Sequence, residues 1–325
     1  MTENQTEKKE QVNYTNFVNV VGYLKDNTLK PTITQSKKEA ISGQLIIALN
    51  DSTEFRIKYF ASKEYQDGRA NPLYATLQNM FPDKCVTVKT LLEANPGATF
   101  DDIKVQASKV WANGEFDIYD RKDEQGTIHT SVTLNGRGAG FHTANSKKPF
   151  AERATFKVEG YVNAIKDEKQ GDTETGRLEV ELLLPDTFRE LVAPVPFIIP
   201  ADLRDVVAQA WNKGDTVLAE GYLVNARKEN APTRAARQSL TGKMETIAPT
   251  YTFVNERIID NPYGAYTEED VKLIAADTIR KYNTNREKML SELEVTADRD
   301  NKSNNGGDTA PATGAAGNSD KKFML

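Results

Sequence analysis

The sequence is short of the residues that build metal centres, disulfides and membrane spans. It has one cysteine, Cys85, so no internal disulfide can form. Its two histidines, His129 and His142, lie thirteen residues apart without the Cys/His spacing of a zinc site. No apolar run approaches the ~20 residues that a bilayer-crossing helix needs, and the opening stretch MTENQTEKKEQ lacks the apolar core of a secretory signal. The expectation is a cytoplasmic protein with no membrane partner, no metal and no cofactor. An excess of base is missing too: 42 Lys and Arg stand against 47 Asp and Glu, a formal net charge of -5. That balance argues against a basic coat for duplex DNA, so any nucleic-acid contact must be a local patch. Catalytic signatures are also wanting. Neither histidine adjoins a Ser or Cys nucleophile motif, and the nearby Asp123 and Glu124 sit on a charged hairpin. The glycine-rich NGRGAGF, Asn135 to Phe141, has no helix behind it and no Gly-Lys-Ser/Thr, so it resembles neither a dinucleotide fingerprint nor a P-loop. A non-enzymatic protein is expected.

What is present is repetition. At 325 residues the chain suits two domains better than one. VVGYLKD (Val20 to Asp26) aligns with VEGYVNA (Val158 to Ala164), and SGQLIIAL (Ser42 to Leu49) with TGRLEVEL (Thr175 to Leu182). VWANGEFDIYDRK (Val110 to Lys122) aligns with VLAEGYLVNARK (Val217 to Lys228), and TLNGR (Thr133 to Arg137) with FVNER (Phe253 to Arg257). The order is the same in both halves, which is the signature of a duplication. Between the second and third matches each half has a short β-rich run, EFRIKYF or PVPFIIP, and then a stretch with helical spacing. In the second half Asp202 is the expected N-cap of that helix and Gly214 its end. Each half therefore reads as three strands, a helix and two strands. This is the order of the OB-fold, a five-stranded Greek-key barrel with its helix between strands 3 and 4. The expected organisation is mainly β: a disordered N-terminus 1–11, a first barrel 12–145, a linker 146–153, a second barrel 154–262, a C-terminal helical segment 263–297 and a low-complexity disordered tail 298–325.

Period-two alternation sorts the strand residues by side. With the glycines and aliphatics placed inside, the outward set contains Tyr23 and Lys25, Arg56, Lys58 and Phe60, Trp111 and Tyr119, Lys157 and Tyr161, and Tyr222. Flat rings interleaved with bases suit single-stranded nucleic acid, because a ring offers a stacking surface to any unpaired base while cations neutralise phosphates. The connection between the last two strands adds Arg227, Lys228, Arg234, Arg237 and Lys243, a basic arm in an acidic protein. Arg137 in NGRGAGF is a further phosphate candidate, with glycines that would permit close backbone approach. Two other readings share these residues. Outward rings also serve as subunit contacts in a β-barrel assembly protein such as a virion component, and nothing in the pattern separates DNA from RNA as the strand.

The stretch KGDTVLAEGYLVNARK, Lys213 to Lys228, resembles the fourth strand of bacterial and phage single-stranded-DNA-binding proteins, with its Gly-Asp turn, apolar alternation, Gly and trailing bases. The resemblance spans about residues 14–262. It implies a protein that coats transient single strands in replication or recombination, with Tyr222, Arg227 and Lys228 on the DNA-facing strand and arm. It also implies protein partners in those processes, met through the C-terminal helix or tail, and leaves homo-oligomerisation open. Two features depart from the family. Two barrels occupy one chain where many members have one. The tail ends in SDKKFML, which keeps the apolar tip Phe323-Met324-Leu325 but places lysines where the family has acids. Ahead of the tail, Thr267 is the expected N-cap of a helix carrying Val271, Ile274, Thr278, Tyr282, Met289 and Leu293 as an apolar stripe.

Overall fold

The computed structural model describes residues 12–143, 145–146, 149–229 and 251–294. The first half runs β1 (Asn16–Asn27), β2 (Lys30–Ile33), β3 (Glu39–Ala48) and β4 (Glu54–Ser62), then α1 (Pro72–Gln78), α2 (Val88–Ala94) and α3 (Phe100–Ile103), then β5 (Lys109–Lys122) and β6 (Ile128–Phe141). The second runs β7 (Arg153–Gln170), β8 (Thr173–Asp186), β9 (Leu191–Ile199), α4 (Arg204–Ala210), β10 (Thr216–Glu229) and β11 (Tyr251–Ala265), and the chain continues into α5 (Ala276–Ser291). The protein is mainly β, and its eleven strands are hydrogen-bonded into one sheet.

Strand pairing closes on itself twice. β1 pairs with β3 and β3 with β4. β4 meets β6 in parallel at Ile57–Leu134 and Lys58–Asn135, β6 pairs with β5, and β5 returns to β1. The second half repeats this circuit as β7–β8–β9–β11–β10–β7, with the parallel contact at Ile258–Ile198. Two of the irregularities repeat as well. Register shifts fall at Leu24/Asp26 and at Val162/Ala164, and again at Asn113/Gly114 and at Glu220/Gly221, which are equivalent positions of the sequence repeat. At the second pair only glycine fits: a Cβ on Gly114 would lie 2.5 Å from the Asn135 carbonyl oxygen, and one on Gly221 1.9 Å from that of Ile258. These bulges bend the strand where the circuit turns.

Inside each circuit sit the residues that alternation assigns there. Val20, Leu24, Phe55, Ile57, Tyr59, Val110, Ala112 and Phe116 are buried in the first half, and Phe156, Val158, Val162, Val217, Ala219 and Leu223 in the second. The two interiors join in one core. Phe116 of β5 packs edge-on against Phe156 of β7 and Phe197 of β9, with ring centroids 5.7 and 5.6 Å away, and burial of each such ring contributes about 1.5–3 kcal/mol.

The halves meet through an antiparallel pairing of β1 with β7, from Asn16–Val158 to Val21–Arg153. Val18 faces Phe156, and each lies four residues before the matching glycine, Gly22 or Gly160. The pairing is therefore symmetric about that pair: Asn16–Val158 and Val20–Ala154 are images of one another. A local two-fold relates the halves at this junction, the arrangement of an isologous dimer written into one chain.

Several expectations need correction. α4 begins at Arg204 with Leu203 at the cap and no side-chain cap bond, so Asp202 lies in the preceding turn. The helix ends at Trp211, before Gly214; that tryptophan is buried, its Nε1 donating to the Tyr263 carbonyl at 2.7 Å. α5 starts nine residues after Thr267. The Asp270 carboxylate accepts from the Thr267 amide at 2.7 Å and closes a local turn, and the Ile274 amide donates to Thr216 Oγ1 at 2.9 Å, holding the chain extended. Val271 is consequently exposed, while Ile274, Ile279 and Tyr282 pack on Leu183 and Val192. β2, α2 and α3 carry too little periodicity for sequence to separate them from loop. Residues 1–11 and 298–325, expected to be disordered, lie outside the described residues.

Candidate nucleic-acid interface

Four strands place their outward residues in one continuous surface across the junction. Val21 and Asn19 of β1 stand opposite Trp111 and Asn113 of β5. On the other edge of β1, Phe17, Asn19 and Val21 face Lys157, Thr155 and Arg153 of β7. Beyond β7, Thr155 and Lys157 face Tyr222 and Glu220 of β10. Paired residues share a face of the sheet, so Trp111, Phe17 and Tyr222 lie on the same side with Arg153 and Lys157 between them. Phe17 and Tyr222 are about two-fifths exposed, at 43% and 40%. They line a shallow groove with Lys157, Glu220 and Asn261. Polar side chains hold the centre: Arg153 Nε donates to Asn19 Oδ1 at 3.2 Å, and Asn19 Nδ2 donates to Asn113 Oδ1 at 2.6 Å.

Trp111 owes its position to the glycines of NGRGAGF. A Cβ on Gly140 would come within 2.9 Å of the indole, and one on Gly138 within 3.5 Å. Gly136 gives the same room to the Tyr59 ring, whose hydroxyl donates to the Gly138 carbonyl at 3.1 Å. The glycines expected to admit a phosphate are instead covered by protein rings.

A second group lies on β4 and the end of β5. Arg56, Lys58 and Phe60 alternate outward and are exposed, and Lys58 Nζ stands 5.0 Å from the centroid of the Tyr119 ring. The far end of the β10–β11 hairpin leans on this half: Asn225 Nδ2 donates to the Glu54 carbonyl at 2.5 Å, and the Arg227 amide donates to the Ser52 carbonyl at 2.7 Å. The Arg227 guanidinium lies 4.4 Å from the centroid of Tyr251, with Phe253 exposed beside it. Lys228 is placed on β10 opposite Thr252. Arg234, Arg237 and Lys243 lie outside the described residues.

Four of the expected cations, Lys25, Arg56, Arg137 and Lys157, already have carboxylate partners. Lys157 Nζ sits 2.7 Å from Glu220 Oε1, and their hydrogen bond raises the lysine pKa and lowers that of the carboxyl. Arg137 pairs with Glu115, Lys25 with Glu54 at 2.5 Å, and Arg56 with Glu54 at 3.4 Å. Burial pushes the Glu54 carboxyl up, but Lys25 and Arg56 outweigh it and hold the group below its ordinary value.

Two expected contact residues are covered. Tyr23 points out of the first circuit, yet it is 5% exposed beneath α2 and α3, with Phe100 and Phe150 rings at 6.0 and 5.2 Å. That burial raises its hydroxyl pKa. Tyr161 packs against the Ile274–Tyr282 cluster of the C-terminal segment. Alternation tells which side of a strand a residue takes; it does not tell whether another element lies over it. Conversely Phe17, Tyr251 and Phe253 are surface residues that the sequence pattern does not single out, and Arg153, a basic residue of the expected linker, belongs to β7. The alternation of Phe17 with Val18 and Val20 carries the signal for Phe17, and TYTFVNER for Tyr251 and Phe253.

Among the described residues, no helix is long and apolar enough to cross a membrane, and no group of three or more His, Cys, Asp or Glu side chains is placed to hold a metal ion. Comparison with curated proteins finds no match. Among solved structures, the chain is similar to a deletion mutant of the single-stranded DNA binding protein from Thermus aquaticus, at 11% identity and TM-score 0.47, over 80% of this chain and 98% of that one. It is similar to the wild-type protein of the same organism at 14% identity and TM-score 0.41, over 70% and 98%. A family model covers nearly all of the described chain: residues 15–296 match that of YorF, and the protein belongs to the YorF family.

Proposed function

We propose that the protein binds single-stranded DNA with little sequence preference, on the outer surface shared by β5, β1, β7 and β10. The two strand circuits are read as tandem OB-type barrels, residues 12–145 and 154–262, with the internal two-fold standing where separate subunits would otherwise meet. The observation that carries the reading is that Trp111, Phe17 and Tyr222 share one face of the paired strands, with Arg153 and Lys157 between the rings. Each ring can stack one unpaired base for about 1–3 kcal/mol. An exposed ion pair contributes only about 0–1 kcal/mol, so exchanging Glu220 for a phosphate on Lys157 costs little and gains little. The rings therefore dominate, and affinity should fall gently with salt, by about 0.7 in log–log slope per phosphate neutralised. The basic arm at Arg234, Arg237 and Lys243 adds phosphate contacts, and the role belongs to replication or recombination, where single strands are transiently exposed.

Titration with poly-dT, poly-U and a duplex of equal length at two salt concentrations tests the proposal. Binding of poly-dT well above duplex supports it, and the poly-U arm separates DNA from RNA. A chain that ignores all three and instead assembles into larger particles is a structural subunit whose rings are contacts between copies.

A further inference from the structure

A cleft of about 950 Å³ lies where the halves meet, at the upper end of the range for ligand pockets. One wall is the end of β5 with Tyr119 and Arg137. The other is the β8–β9 turn with Phe188 and Arg189, and α5 closes it with Lys288 and Met289. Phe188 is 87% exposed, the most exposed aromatic side chain among the described residues. It is not there through looseness. The Asp186 carboxylate accepts from the amides of Phe188 and Arg189, both at 2.9 Å, and Arg189 reaches across to Asp117 Oδ1 of β5 at 2.7 Å. The backbone of the turn is fastened at its base and to the opposite half, and the ring stands uncovered at the cleft. A rigid ring without protein cover is what a stacking partner needs.

Across the cleft Tyr119 is 39% exposed, with Lys58 already 5.0 Å from its centroid. Tyr119 also ends the outward row of β5 that begins at Trp111. The eight residue steps from one to the other span about 26 Å at ~3.3 Å per residue, a length that a few extended nucleotides cover. Resting on the single-strand reading above, we infer that this cleft is a second nucleotide subsite. A strand laid along β5 from Trp111 continues into it and a base stacks on Phe188 or Tyr119; because Glu115, Asp117, Asp120, Asp186 and Glu292 share the lining with Arg137, Arg189 and Lys288, and Arg137 is paired with Glu115, the rings and not the charges carry the contact. The ligand class is an unpaired nucleotide, admitted for its ring and not for its sequence.

Affinity measured against dT oligonucleotides of increasing length tests this in the full chain. Phe188→Ala leaves the turn's hydrogen bonds in place, since none uses the ring, so the fold is not at risk. Short oligonucleotides that fill the Trp111–Tyr222 face alone should bind the variant and the wild type equally. Long ones should bind the variant about tenfold more weakly, and its affinity should stop rising at a shorter length. Photocrosslinking with 5-iododeoxyuridine in the long oligonucleotide should give adducts on Phe188 or Tyr119. Equal affinity of variant and wild type at every length, with no adduct on either ring, overturns the subsite while leaving the Trp111 face intact. Equal weakening at all lengths also overturns it, because Phe188 then belongs to the main face. If the wild type binds no oligonucleotide, the single-strand reading itself fails and the subsite falls with it.

Discussion

Replacing Trp111 tests the central claim most directly. The indole lies against Gly138 and Gly140 of β6, so one of its faces rests on backbone, and the side chain is half-buried on the outer surface of β5. It can therefore take one base. Loss of a single stack of about 1–3 kcal/mol raises the dissociation constant by about 5- to 150-fold, and Trp111→Ala should fall within that range for poly-dT. Trp111→Phe keeps a flat ring and should recover most of the loss. Gly140→Ala, which puts a methyl 2.9 Å from the indole, should displace the ring and mimic the alanine variant in part. The salt slope should not change in any of them, because no phosphate partner is removed. Intrinsic fluorescence gives an independent readout. The chain has two tryptophans, and Trp211 is 2% exposed with its Nε1 bonded to Tyr263, so quenching on addition of DNA should belong to Trp111. An alanine variant that binds within twofold of wild type, or that keeps the quenching, would refute the stacking argument.

Four further outcomes follow from the same geometry. Glu159, 3% exposed, gathers the Thr15 amide at 2.6 Å, the Tyr266 hydroxyl at 2.7 Å and Lys272 Nζ at 2.8 Å; Glu159→Ala strands these donors and should lower unfolding free energy by about 2–4 kcal/mol in denaturant titration. Burial pushes that carboxyl up, but Lys272, Thr15 and Tyr266 together hold it below its ordinary value. Its contribution is then full above the unfolded-state pKa and lost as pH falls through the lower folded value, so the stability gap between wild type and Glu159→Gln should close in acid and persist at neutral pH. Gly221→Ala sets a Cβ 1.9 Å from the Ile258 carbonyl oxygen; the bulge must shift, and a thermal midpoint equal to wild type would contradict the close approach. The Arg234→Ala/Arg237→Ala double variant should weaken poly-dT binding and reduce the salt slope by about 1.4 if both meet phosphates, whereas an unchanged slope would remove the arm from the interface.

Much of the architecture was written in local pattern. The period-two alternation of Val20, Gly22 and Leu24, and of Val110, Ala112 and Gly114, fixes which side of each strand enters the core, because neighbouring side chains cannot both point inward. The repeated motifs foretold that β1 and β7, and β5 and β10, would be equivalent, and the bulges at Gly114 and Gly221 carry that equivalence into the backbone. Trp111, Phe60, Lys58 and Tyr222 were legible as outward for the same reason.

What local pattern could not decide was cover and company. Tyr23 and Tyr161 alternate outward as plainly as Trp111, yet α2 and α3 lie over one and the C-terminal segment over the other, through contacts between residues far apart in the chain. Lys25, Arg137 and Lys157, expected to meet phosphates, are matched with Glu54, Glu115 and Glu220 from neighbouring strands. The joining of two surfaces into one depends on β1 pairing with β7 about Val18 and Phe156. Side-chain direction is a property of one strand and can be read from its residues; burial, ion pairing and the junction of the halves exist only once distant strands have met.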